Sequence, residues 1–212
     1  GRINRQPWNP SSNFIDPKLG EETTRLQELI DRLHGDRKIA LTGIGGTGKT
    51  MLCYKFILEN QNGDSYTSDG ELVAPYEKVV FLTSKSEPQG EKSVSNIMKI
   101  TNEELGLTED PRLVSLAAGY IADYNGEYGN FVNTLASLYG DITYLDDPAE
   151  LAKDVIFDRR ILVVVDNFED VEEKKKEKEY IEFVKKLKYG GKGAIIFTTR
   201  PRGIGQNTGL TE

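Results

Sequence analysis

Residues 41–55 read LTGIGGTGKTMLCYK: the end of an apolar strand, a run of glycines and the first turns of a helix. Within this stretch Gly43, Ile44, Gly45, Gly46, Thr47, Gly48, Lys49 and Thr50 match the pattern GxxxxGK[ST] in full. Glycines let successive backbone N–H groups turn inward around phosphate oxygens, where a β-carbon would collide. The helix that follows adds its positive N-terminal end. Lys49 is expected to reach the β- and γ-phosphates and Thr50 to offer its hydroxyl to Mg²⁺, with Met51 beside them in the first helical turn. A strand before the turn and a helix after it are the context this chemistry requires.

Working outward, KIALTG (38–43), KVVFLTS (78–84), RILVVVDN (160–167) and GAIIFTTR (193–200) are near-continuous apolar runs. Such runs mark strands covered on both faces and therefore parallel. Helical spacing alternates with them: Leu26, Leu29, Ile30 and Leu33 in a helix from Glu21 to about Gly35, and Ile181, Val184 and Leu187 ahead of the last strand. The sequence predicts an α/β three-layer sandwich with right-handed crossovers. The strand order then follows from one requirement. Asp166 ends the third strand and must reach a metal beside Thr50, so the third strand is expected directly beside the first, in the order 2-3-1-4. On that expectation a strand inserted between the two is incompatible with the fold and its mechanism.

Residues 86–149 are long for a single crossover. Leu113, Leu116, Ala117, Tyr120, Ile121 and Tyr124 keep helical spacing, NGEYGN (125–130) breaks it, and Phe131, Leu135, Leu138 and Tyr139 resume it. The pattern predicts a helical hairpin between strands two and three, packed on the sheet as cover. The charge run EEKKKEKE (172–179) reads as the solvated start of the helix that follows. Residues 1–13, GRINRQPWNPSSN, read as an N-terminal arm with Trp8 against the surface, and 14–212 as the nucleotide-binding domain.

Composition narrows the function classes. A net charge of −7 and a pI near 5.0 argue against a nucleic-acid face on this domain. The single cysteine, Cys53, excludes an internal disulfide and fits a reducing, cytoplasmic setting. It falls among apolar helix residues and reads as a small core residue. His34, the only histidine, lies where an imidazole can cap helix carbonyls. No apolar run approaches the roughly 18 residues of a spanning helix, so no membrane partner is expected. Opening on Gly1 rather than Met, the chain reads as part of a longer protein.

ILVVVDNFED (161–170) carries the second half of the chemistry. Its strand delivers the Asp166 carboxylate toward the metal beside Thr50. Asn167 stands where some ATPases place a water-activating Glu, and an amide cannot take that proton. Glu169 and Asp170 are the nearest acids that could. IIFTTRPRG (195–203) ends the fourth strand in Thr198, Thr199 and Arg200, and a guanidinium there can bind a terminal phosphate and report its loss.

Together these stretches resemble the signal-transduction ATPases with numerous domains, the STAND class that includes the NB-ARC and NACHT modules of immune receptors. GIGGTGKT looks like that family's phosphate loop and LVVVDNFED like its metal-binding strand. FTTRP looks like its sensor arginine and following proline. NFIDPKLGEETTRLQELIDRL (13–33) is similar to its opening segment, which implies Phe14 and Ile15 near the adenine. The resemblance covers roughly 12–60 and 155–203. It implies ATP/ADP with Mg²⁺, catalysis through Lys49, Asp166, Glu169 and Arg200, and slow hydrolysis. It also implies a conformational switch with ATP-dependent homo-oligomerisation and contact with other domains of the full-length protein. A final edge strand of the family's sheet is expected to be absent or unpaired. The alternative is a motor or loader ATPase of the AAA+ type. TSKSE (83–87) faintly suggests a GTPase but precedes the Asp166 strand, and a small-molecule kinase would need an acceptor pocket.

Overall fold

The computed structural model describes residues 14–15, 22–43, 48–83, 126–138, 142–143 and 145–200. In chain order the elements are β1 (Phe14–Ile15), α1 (Glu22–Asp36), β2 (Lys38–Thr42), α2 (Lys49–Gln61) and β3 (Lys78–Thr83). They continue with α3 (Tyr128–Ser137), α4 (Pro148–Asp158), β4 (Ile161–Asp166), α5 (Glu169–Glu173), α6 (Glu177–Lys185) and β5 (Ala194–Thr199). The proposed arm at 1–13 and the first limb of the hairpin, Leu113–Tyr124, lie outside the described residues.

The strands form one sheet in the order β1-β2-β5-β4-β3, and every pairing is parallel. Alternation along each strand sends side chains to opposite faces. Ile39, Leu41, Val79, Phe81, Leu162, Val164 and Ile196 therefore meet α1 and α2, through Leu29, Leu33, Leu52, Phe56 and Ile57. Val80, Leu82, Val163, Val165, Ile195 and Phe197 meet α3, α4 and α6, through Phe131, Leu135, Val155, Tyr180 and Phe183. Two apolar cores on one sheet make a three-layer arrangement, as the continuous apolar runs predict.

The predicted strand order is corrected. β5 lies between β2 and β4, with Ile39 opposite Ile196 on one side and Val164 opposite Ile196 on the other. Adjacency proves unnecessary for the contact it was meant to explain. One inserted strand puts β2 and β4 roughly 10 Å apart, but Thr50 is not on β2. It sits in the first turn of α2, and it is from that turn that its hydroxyl meets Asp166.

The outer side of β2 is also occupied. β1 is only two residues long, yet Phe14 pairs with Ala40 and Ile15 with Leu41.

Three local expectations change as well. The charge run 172–179 is not one helical start: it straddles α5 and α6, and Lys175 between them adopts a left-handed φ of 55°. His34 faces Glu71, Nε2 to Oε2 at 2.8 Å, instead of capping carbonyls. Helix α4 was not foreseen, although Asp147 and Pro148 announce it: the Asp147 carboxylate accepts the Ala149 N–H at 3.0 Å and Pro148 occupies the first turn. Cys53 is fully buried in the first core, where burial pushes its thiol far up.

Candidate functional site at the strand ends

The site is assembled where β2, β4 and β5 end together. Gly43 leaves β2 buried, and its N–H donates to the Thr199 carbonyl at 3.3 Å, tying the start of the phosphate turn to β5. The turn arrives at α2 through Gly48, whose φ of 84° is left-handed. Among the described residues an added β-carbon at Gly48 would meet nothing within 4 Å, but the left-handed backbone itself favours glycine. Gly45, Gly46 and Thr47 lie outside the described residues.

Lys49 opens α2 with its side chain buried, and its ammonium donates to the Gly43 carbonyl. The amine thus reaches back to the residue that follows β2. Thr50 Oγ1 donates to Asp166 Oδ1 at 2.8 Å. Met51 is half-buried and packs against the core formed by α1 and α2. The backbone of Phe14 and Ile15 runs along the outer side of β2, upstream of the phosphate turn.

Asp166 is 3% exposed and accepts a second hydroxyl, Thr198 Oγ1, at 2.8 Å on the same Oδ1. The chain then reverses at Asn167, whose left-handed φ of 59° is a conformation asparagine tolerates better than most residues. Its side-chain amide donates to Asp170 Oδ2 at 2.7 Å, which locks the reversal. Asn167 is therefore a turn residue, and Asp170 is engaged in holding it. Glu169, the first residue of α5, has Lys49, Arg200 and Asp166 as charged neighbours.

Glu169 is the unsettled charge of the site. Burial lifts its carboxyl above the usual glutamate range; Asp166 adds to the rise, while Lys49 and Arg200 pull it down. Its Oε1 lies 3.5 Å from Arg200 Nε, with Glu169 13% exposed and Arg200 59%. Its Oε2 is buried without a hydrogen-bond partner among the described residues. Of the two acids at 169 and 170, Glu169 is the one beside Lys49, Arg200 and Asp166.

Two hydroxyls had no role in the sequence reading. Thr198 contacts the acid, and Thr199 Oγ1 donates to Glu172 Oε1 in α5. The signal was there: paired threonines at the end of a buried strand are polar where the rest of the run is apolar.

The donor set fits a hard divalent cation. A hydroxyl and a carboxylate meet at 2.8 Å. Mg²⁺ is commonly held by one or two protein oxygens together with phosphates rather than by an all-protein cage. No helix among the described residues is long and apolar enough to cross a membrane. No protein-family model matches the chain, and no curated protein or solved structure matches it significantly.

Proposed function

We propose that the chain is the nucleotide-binding core of a P-loop signal-transduction ATPase, binding ATP and ADP with Mg²⁺ and hydrolysing ATP slowly. The observation that carries this reading is the Thr50–Asp166 hydrogen bond at 2.8 Å, made at the first turn of a helix that a GxxxxGK[ST] turn leads into. Bound Mg²⁺ would supply charge neutralisation across the phosphates, held by the Thr50 hydroxyl and the Asp166 carboxylate. Lys49 would exchange the Gly43 carbonyl for phosphate oxygens. Arg200 would leave Glu169 for the terminal phosphate, and Glu169 would then accept a proton from the attacking water.

Slow turnover is supported by the residues after Asp166. The nearest side chain, Asn167, is an amide committed to Asp170, and Glu169, the proposed base, is paired with Arg200. A nucleotide held long and cleaved slowly suits a switch, which requires ATP and ADP to differ in affinity for two conformations. Steady-state turnover and the nucleotide content of the purified chain test this. The reading expects turnover well below ~1 s⁻¹, with ADP carried through purification. Many ATP cleaved per second would overturn the switch and favour a motor ATPase.

A further inference from the structure

The strand that separates β2 from β4 supplies a hydroxyl of its own. Thr198 on β5 holds three successive residues, Asp166 at the end of β4 and Asn167 and Phe168 after it. Its carbonyl accepts the Phe168 N–H at 2.8 Å, its Oγ1 accepts the Asn167 N–H at 2.9 Å, and the same Oγ1 donates to Asp166 Oδ1 at 2.8 Å. The direction of the last bond is fixed by the others. An amide N–H can only donate and an ionised carboxylate can only accept, so the one hydroxyl proton of Thr198 points at Asp166.

We propose that Thr198 is the positioning residue for the Asp166 carboxylate, setting it to receive the divalent cation that accompanies the nucleotide. Thr198 acts through Asp166 and touches neither nucleotide nor metal. The assignment rests on the nucleotide-and-Mg²⁺ reading above. Its physical basis is that Thr198 is 1% exposed and Asp166 3%, so the contact lies where water is largely excluded and cannot readily replace the hydroxyl. Two O–H donors converge on Oδ1, from Thr50 on the nucleotide side and Thr198 on the sheet side, and together they orient the carboxylate. Thr50 would also offer a lone pair to a bound cation. Thr198 need not change. Partners that orient a metal-binding carboxylate in this way are commonly worth about 10–100-fold in metal affinity.

The experiment titrates MgCl₂ into the purified chain with a fluorescent N-methylanthraniloyl ADP, and separately measures that nucleotide in EDTA. Thr198→Val removes the hydroxyl at nearly constant volume, Thr198→Ala removes it with a smaller side chain, and Thr198→Ser keeps it. The expected result is a Mg²⁺ midpoint raised about 10–100-fold in the Val variant, or in Ala should Val not fold. Affinity in EDTA should stay within about twofold of wild type, and Ser should restore the midpoint. An unchanged Mg²⁺ midpoint in a folded Val or Ala variant overturns the assignment. So does an equal loss with and without Mg²⁺, which would make Thr198 a structural support of the whole site. A wild-type chain that binds the nucleotide with no response to Mg²⁺, or does not bind it, overturns the underlying reading first and this assignment with it.

Discussion

Thr50 Oγ1 and Asp166 Oδ1 stand 2.8 Å apart although β5 separates the strands that lead to them. The contact is made by the first turn of α2, not by β2 itself. Thr50→Val should therefore weaken Mg²⁺-dependent nucleotide binding by about tenfold or more while leaving binding in EDTA little changed. Calorimetry with and without Mg²⁺ reads the difference.

Gly48 is a conformational requirement. With φ at 84° and, among the described residues, nothing within 4 Å of an added β-carbon, Gly48→Ala should cost about 1–2 kcal/mol through backbone strain. Urea unfolding of the nucleotide-free protein measures it; an unchanged midpoint would mean that the turn relaxes out of the left-handed region.

Glu169→Gln should cut the residual turnover by about a hundredfold while preserving ATP affinity. Asp170→Asn should leave the chemistry in place, since Asp170 serves the Asn167 amide. If Asp170→Asn is the variant that stops turnover, the base lies one residue further on.

The same residue predicts a pH dependence with a definite sign. The Glu169 carboxyl is raised above its ordinary value, chiefly by burial. Its contribution to folding is thus fully present below the ordinary glutamate value and lost as pH rises through the folded one. Glu169→Gln should melt higher than wild type near neutral pH, with the gap closing under acid conditions. As a base, Glu169 works only when ionised, so wild-type turnover should rise with pH through a midpoint above the ordinary glutamate range.

Arg200 is half in solvent and pairs with Glu169 at 3.5 Å. Arg200→Ala should weaken ATP about tenfold while ADP changes little, because only ATP carries the phosphate Arg200 is proposed to take. Equal losses for both nucleotides would remove Arg200 from the role of phosphate sensor.

Much of the fold was legible because its signals are local. Four continuous apolar runs identify buried parallel strands, and the stretch Gly43–Thr50 marks the passage from a strand to a helix. Strand order was not legible, since it depends on where the loops cross. The inference from Asp166 failed by treating the strand, rather than the helix turn at Thr50, as the reaching element. The left-handed backbone at Asn167 has no signature in the sequence beyond residue type. The role of Thr198 depends on its being opposite the Asp166 turn, a register that sequence spacing does not carry. The helix break at Lys175 was masked by a uniform run of charge.

The most direct test of the account is calorimetric titration of ATP, ADP and GTP, with Mg²⁺, into the wild-type chain and Lys49→Ala. Lys49 is the buried cation at the start of α2, and loss of its charge-assisted bonds to phosphate should weaken adenine nucleotides by about 10–100-fold. The account predicts tight ATP and ADP binding to wild type, markedly weaker GTP, and loss of ATP affinity in Lys49→Ala. Absence of nucleotide binding in wild type, equal affinity for GTP, or ATP binding unchanged by the substitution would contradict it.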